Sequence, residues 1–372
     1  MVDGTVIAGG GLAGAAAATL LARGGMRPML LERTPGPHDK ICGDFVSTEA
    51  QAHLAALGFD AGALGGAAID RVRLVSGERS AEARLPSTAL GLTRRRLDAA
   101  LLDHAAASGV AVRRGVTVRQ IDGTALTTSE GDLAPATLLL ATGKADVRGA
   151  KRDAAGCLDH LIGFKQYYRP APATLATLAG VIEIVLFDGG YAGVQRVEDG
   201  MINLCLLVDR RRFDAAGGDV VGDLVATVPR LARLLGGVPP LLARPLTISG
   251  VPYGFVHGEG LRNGDAAFRL GDQAGVIPSF TGDGMAIALH SARLAAGAVL
   301  GGGSPAAYHA AFRRDCARQI ARAAALQRVG ETRVGQALLV AGIGVVPGLL
   351  RWAAAATRVP PAALRRAGLA VA

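Results

Sequence analysis

The sequence predicts an α/β fold in which a parallel βαβ core, assembled from discontinuous stretches of chain, carries an inserted β-sheet unit and ends in helices. Three observations carry that expectation. The chain opens on an apolar strand, a glycine cluster, a helix and a second strand that closes on an acid. Between residues 161 and 256 the texture changes to short β-type runs. At 267–296 a strand, a glycine-rich turn and a helix return.

Taken in order, Thr5 to Ala8 is a short apolar strand, Leu12 to Arg23 an Ala/Leu-rich helix stopped by Gly24-Gly25, and Pro28 to Leu31 a second strand reaching Glu32. Thr34 to Gly43 is polar and turn-rich. Ser47 caps a helix to Leu57, with Glu49 in its first turn where the helix dipole favours an acid. Arg71 to Arg84 reads as a strand pair and Arg94 to Ser108 as a helix. Strands are predicted around Val110 to Val112, Val116 to Ile121 and Thr137 to Ala141. Further β runs follow at Phe164 to Tyr168, Val181 to Phe187, Ile202 to Val208 and Leu246 to Ile248, with a helix at Gly222 to Leu235. Beyond Pro305 the pattern is helical. The expected units are 1–160 with 259–325, then 161–258, then a C-terminal segment 326–372.

The 372 residues are 50% hydrophobic and 4% aromatic, enough apolar material for a large core. A net charge of +9 could attract nucleic acid, but only Lys40, Lys144, Lys151 and Lys165 are lysine; the other 36 basic residues are arginine. That skew points to compositional bias, and no nucleic-acid-binding signature accompanies it. Cys42, Cys157, Cys205 and Cys316 lie far apart, which predicts neither a metal site nor a disulfide framework. The strand–turn–helix at the very start leaves no room for a leader and predicts a cytoplasmic protein.

Gly9-Gly10-Gly11-Leu12-Ala13-Gly14 is a GxGxxG set between a strand and a helix, with Glu32 closing the next strand. Gly9 permits the turn, Gly11 admits a pyrophosphate to the backbone, and Gly14 lets helix pack on strand. The helix start offers unpaired N–H groups to phosphate, and Glu32 is placed for an adenosine ribose. This motif alone leaves NAD and FAD open.

A second constellation runs from Leu270-Gly271-Asp272 through Pro278-Ser279-Phe280-Thr281-Gly282-Asp283-Gly284 into a helix beginning at Met285. It resembles the second FAD motif of the flavoprotein superfamily that contains para-hydroxybenzoate hydroxylase and geranylgeranyl reductase. The resemblance implies a Rossmann-type FAD-binding domain with a β-sheet substrate domain. It also implies that Asp272 holds the ribityl region, and that Gly282 and Gly284 bring backbone to the flavin. Arg94-Arg95-Arg96-Leu97-Asp98 resembles that superfamily's Arg-x-x-Leu-Asp helix start, with Arg94 at the FAD phosphates and Arg95 and Arg96 as surface charge. Cys42-Gly43-Asp44-Phe45-Val46-Ser47 resembles the Cys-Gly-x-x-x-Ser element of the geranylgeranyl-reductase branch, beside the isoalloxazine. The candidate cofactor contacts are Gly9, Gly11, Leu12, Ala13, Gly14, Glu32, Arg33, Cys42, Gly43, Arg94, Val118, Thr142, Gly143, Asp272, Gly282, Asp283, Gly284 and Met285.

The chain departs from its relatives elsewhere. The hydroxylases' Asp-Gly-x-x-Ser-x-x-Arg stretch, which serves FAD and NAD(P)H, corresponds to Thr142-Gly143-Lys144-Ala145-Asp146-Val147-Arg148, with Thr142 for the Asp and Arg148 one residue closer. The related halogenases' Trp-x-Trp is absent; Trp352 is the single tryptophan, which argues against halogenation. Gly190-Tyr191 keeps part of the reductases' Gly-Tyr-x-Trp strand. Tyr191, Tyr253, Phe255 and Phe280 are the candidate substrate contacts, and Cys42 and Tyr191 the candidate catalytic side chains. His257 and His290 read as structural.

Residues 337–350 are strongly apolar and read as a buried helical hairpin over the substrate domain. The alternative is an interfacial patch, with Arg351, Arg358, Arg365 and Arg366 suited to a peripheral contact with an anionic membrane. The leading functional expectation is a monooxygenase that hydroxylates an apolar aromatic or polyketide-like substrate through a flavin C4a-hydroperoxide. NADPH, NADH or a separate electron-donor protein would reduce it. The alternatives are a reductase or dehydrogenase of an isoprenoid or lipid chain, and a non-catalytic FAD-fold binding protein.

Overall fold

The computed structural model describes residues 4–258, 266–332, 334–336 and 348–369. Five parallel strands form a first sheet in the spatial order Ala267–Arg269, Thr137–Leu140, Thr5–Ala8, Met29–Glu32, Ala111–Arg114. Four of its strands are buried on both faces, as parallel strands under crossover helices must be, and the edge strand Ala111–Arg114 is partly exposed. Ile7, Leu30, Leu139 and Phe268 face the helices Leu12–Arg23, Arg94–Ala107, Gly284–Leu300 and Pro305–Gly330. Val6, Ala8, Leu31, Leu138 and Leu140 face a small antiparallel sheet of Val118–Asp122, Ala125–Thr128 and Gly131–Leu133. That alternation is the period of two expected of strands.

The second sheet has eight strands and is mostly antiparallel. Its inserted strands are Ile162–Tyr168, Gly180–Phe187, Gly190–Arg196, Ile202–Val208 and Leu246–Ser249. The hairpin Ala67–Ser76 with Arg79–Gly91 also belongs to it, through a parallel pairing with Gly180–Phe187, as does the short strand Phe45–Val46. The sequence expectation put this hairpin with the first unit. Alternation identifies strands, but not the sheet that will accept their edges.

One face of the second sheet is sealed. Phe164, Tyr168, Val185, Val194, Leu204 and Leu206 pack on the helices Val220–Thr227 and Pro229–Leu235. The single helix expected over this stretch is two, divided at Val228-Pro229, because proline cannot donate to the turn before it. On that face Glu183 is fully buried and receives Arg73 Nη1 at 2.6 Å and Arg230 Nη2 at 2.6 Å.

The C-terminus divides between the units. Of the apolar run, 337–347 lies outside the described residues; the helix Gly348–Ala356 lies against Arg79–Gly91 of the second sheet. Val359, Ala363, Leu364 and Leu369 enter the main core of the first unit. Arg358 pairs with Glu49 at 2.6 Å and Arg366 with Asp315 at 2.6 Å. The Arg358 side chain is thereby largely buried, whereas that of Arg366 stays exposed. No helix among the described residues is long and apolar enough to cross a membrane.

Glu183→Ala leaves two guanidinium groups without their shared buried carboxylate and is expected to lower stability by about 3–5 kcal/mol, read from urea unfolding.

Candidate functional site

The first glycine motif is shaped by close approach. Gly9 has φ +112°, and a Cβ there would stand 2.3 Å from the Ala141 carbonyl oxygen. A Cβ on Gly14 would stand 1.9 Å from the Gly9 carbonyl oxygen, so this helix can lie on its strand only through glycine. A Cβ on Gly11 would meet only Arg94 Nη2 at 3.6 Å and Lys40 Nζ at 3.7 Å. Two cations thus face the start of the helix Leu12–Arg23, where unpaired N–H groups already favour an anion. Leu12 and Ala13 are buried and can offer only backbone.

The cations are held in place. Asp98 receives Arg94 Nε at 2.8 Å and Lys40 Nζ at 2.7 Å. Burial pushes the Asp98 carboxyl up, but Arg94 and Lys40 outweigh it and hold it below its ordinary value. The Arg94 guanidinium also lies beside the Cys42 thiol. Arg95 is an exposed partner of Asp39, as a surface charge should be. Arg96, expected to be one too, instead reaches across to Glu198 and Asp199 at a turn of the second sheet.

Glu32 accepts from Gly10 N at 2.9 Å, Thr34 N at 2.9 Å and Thr34 Oγ1 at 2.6 Å. Burial raises its pKa, but the Thr34 and Gly10 hydrogen bonds and nearby Lys40 bring it below the usual carboxylate range. Val116 N donates to Glu32 O, which sets the strand bearing Val118 beside this acid; Arg33 is exposed.

The second motif closes the cradle. Gly271 has φ +58°, and a Cβ on it would lie 3.3 Å from Ala13 Cβ, so the two motifs touch. Asp272 lies 3.4 Å from Lys144 Nζ and pushes that lysine up to about 12. Gln273 Nε2 donates to Gly143 O and Ala145 O, and Thr142 Oγ1 donates to Ala145 O. The 142–145 turn is thereby fixed beside Asp272. Gly282 has φ +69° against the Phe45 ring, and Gly284 is exposed at the start of its helix. Met285 is buried in the core.

Asp283 differs from expectation. Its carboxylate is fully buried, accepts from Val359 N at 2.8 Å and lies 3.5 Å from Ser47 Oγ. It therefore faces the C-terminal arm rather than a cofactor. Burial first, and then Glu49, raise its pKa to about 8.

The loop 40–44 carries Cys42 and Gly43, both half-buried. Its anchors were not anticipated. Asp44, at φ +55° and fully buried, accepts from Lys165 Nζ at 2.7 Å and Tyr167 Oη at 2.8 Å. Lys165 Nζ also donates to Lys40 O at 3.0 Å. Gln195 Nε2 donates to Asp44 O and Asn203 Nδ2 to Cys42 O. The remaining side-chain oxygens of Gln195 and Asn203, opposed across two strands, are buried without a partner. Sequence reasoning had one signal for Lys165: it is a rare lysine in an arginine-rich chain.

The expected substrate contacts divide. Tyr191 is half-exposed and edge-on to Phe280, with ring centroids 6.4 Å apart. Tyr253 is buried and receives Ser279 Oγ at 2.9 Å, so it holds the 278–281 loop from behind. Phe255 is no pocket wall: it is buried with Leu158 and Val276 beneath Arg152. His290 is buried 3.1 Å from Asp315, and His257 stacks edge-on with His309.

The glycine cradle with two facing cations fits an anionic dinucleotide. The comparisons agree. Residues 3–132 match the family described as FAD binding domain. The fold is similar to that of the flavin-dependent brominase Bmp2, at 16% identity and TM-score 0.75 over 99% of this chain and 98% of that one. A flavoprotein/dehydrogenase from Cytophaga hutchinsonii is 19% identical, with TM-score 0.73, over 89% of this chain and 86% of that one. The halogenase PltM, in complex with FAD, is 14% identical, with TM-score 0.70, over 87% and 75%. No curated protein sequence matches. Residues 3–132 thus match an FAD-binding domain, and the fold of the chain is similar to that of solved flavin-dependent proteins.

Arg94→Gln leaves Lys40 on Asp98 but removes a cation from the cradle. FAD affinity is expected to fall about 10- to 100-fold, matching a charge-assisted hydrogen bond of ~1.5–3 kcal/mol, in a flavin-fluorescence titration. For Asp283, the folded state holds a proton that the unfolded chain releases near pH 3.8. Its contribution to stability is therefore present at low pH and is lost as pH rises toward about 8. Asp283→Asn is expected to remove that decline, read from melting temperatures across the same range.

Proposed function

We propose that this chain is an FAD-dependent monooxygenase that hydroxylates an apolar aromatic or polyketide-like substrate. The observation that carries the proposal is the asymmetry of the second sheet. The face under the helices is sealed, while Ile184, Leu186, Tyr191, Gly193 and Cys205 on the other face remain half-exposed. Phe280 brings an aromatic edge from the flavin loop to Tyr191. A largely apolar floor with a few polar groups, beside the dinucleotide cradle, suits an apolar ring.

Bound FAD would supply the redox chemistry with dioxygen. The chain's own part is position and electrostatics. Gly11, Arg94 and Lys40 would hold the pyrophosphate, Glu32 the ribose and Asp272 the ribityl hydroxyls. The positive end of the helix Gly284–Leu300 would favour negative charge on the reduced ring. Tyr191 and Phe280 would exclude water from the reacting face. NADPH or NADH is the proposed donor, with Lys144 and Arg148 near its phosphate; a separate electron-donor protein is the alternative.

A second reading, reduction of a double bond in an isoprenoid chain, is favoured by the Cys42 thiol beside Arg94 at the same loop. Oxygen uptake and product mass separate the two. The monooxygenase reading expects NAD(P)H-dependent oxygen uptake and a product heavier by one oxygen atom. A gain of two hydrogens without oxygen uptake replaces it with the reductase. Incorporation of halide, the chemistry named for two structurally similar proteins, overturns both. Tyr191→Ala is expected to raise KM about tenfold, ~1.4 kcal/mol of lost ring packing, while leaving FAD affinity unchanged.

A further inference from the structure

Lys165 lies in the middle of the strand Ile162–Tyr168 and has no solvent exposure. Its register partner is Cys205, whose own partner on the next strand is Gly193. The row Lys165, Cys205, Gly193 therefore crosses three strands on the half-exposed face of the second sheet. From this row Lys165 reaches out of its sheet to two points of the cofactor loop, the Lys40 carbonyl and the Asp44 carboxylate.

Three further side-chain anchors of the loop have the same origin, while Asp98 and Arg94 of the helix Arg94–Ala107 hold Lys40 and flank Cys42. Tyr167, Gln195 and Asn203 belong to the second sheet and bind Asp44 or Cys42. The backbone anchors, Leu92 N to Asp44 O and Arg94 N to the Asp44 carboxylate, come from the start of the helix that carries Arg94. Asp44 also sits at φ +55°, a conformation a non-glycine residue keeps only when its surroundings hold it there.

We propose that Lys165 is a positioning residue: it fixes the loop 40–44 in its FAD-facing place, so that the substrate-facing sheet and the cofactor loop form one rigid body. The inference rests on the FAD reading for its consequence, though not for its geometry. Two paired buried charges contribute little net stability when replaced together, whereas removal of one leaves the other uncompensated. A positioning role and a purely charge-balancing role therefore diverge in the double variant.

The test compares Lys165→Met, Asp44→Asn and the double variant K165M/D44N in the full chain. Three quantities are read: urea stability, FAD affinity by fluorescence titration, and the rate of Cys42 alkylation in the FAD-free protein, located by peptide mass spectrometry. Lys165→Met is expected to lose stability, to bind FAD about tenfold more weakly and to expose Cys42 to faster alkylation. In the double variant stability should return, while weak FAD binding and fast Cys42 alkylation persist. Return of all three in the double variant overturns the proposal and leaves charge balance as the whole role. Unchanged FAD affinity and Cys42 alkylation in every variant also overturn it. A wild-type chain that takes no FAD overturns the cofactor reading instead. Cys42 alkylation then decides the loop-positioning role on its own.

Discussion

The ion pair between Asp44 and Lys165 joins the two halves of this protein where neither partner can reach water. Its residues are 121 positions apart in sequence, one in a cofactor loop and the other in the inserted sheet. Such a pair tolerates no half measures: each charge is affordable in the interior only while the other is in place. The hydrogen bonds from Tyr167 and Arg94 N complete the carboxylate's shell and set the angle at which the loop enters. The geometry of the cradle follows, because the next residues along the chain, Phe45 and Val46, enter the second sheet opposite Gly91 and Leu90.

The same logic of compensated charge recurs along the cradle. Asp98 holds Arg94 and Lys40, Asp272 holds Lys144, and Glu32 is oriented by Thr34 and Gly10. Groups suited to meeting a dinucleotide are therefore oriented by the chain before any ligand arrives. Preorganisation of this kind lowers the ordering cost of binding.

The first sheet was legible because its signals are local. Strand, glycine turn and helix follow one another within a few residues; the glycines at 9 and 14 are dictated by contacts that leave no room for a side chain, and that at 271 by its φ of +58°. The Arg94 position was equally readable, since its acid partner lies four residues on. What could not be read is what depends on distant pairing. The hairpin at 67–91 shows its alternation but not its partner strand. Asp283 sits inside a recognisable flavin motif, yet its carboxylate is claimed by Val359, 76 residues away. Lys165 had only composition to mark it. Three of the four lysines, Lys40, Lys144 and Lys165, converge on the cofactor side with carboxylate partners, whereas most other basic positions are arginine. At Lys165, the one of the three with no exposure, a compact ammonium can enter a closed site that a planar guanidinium would not fit as well.

The placement of the C-terminal arm bears on how the chain is made. Val359, Ala363, Leu364 and Leu369 share one core with Ile7 and Leu30. The strands bearing Ile7 and Leu30 therefore cannot finish their packing until residues 359–369 have been synthesised. Completion of the first unit is therefore preceded by an interval in which the inserted sheet is already long enough to assemble on its own helices.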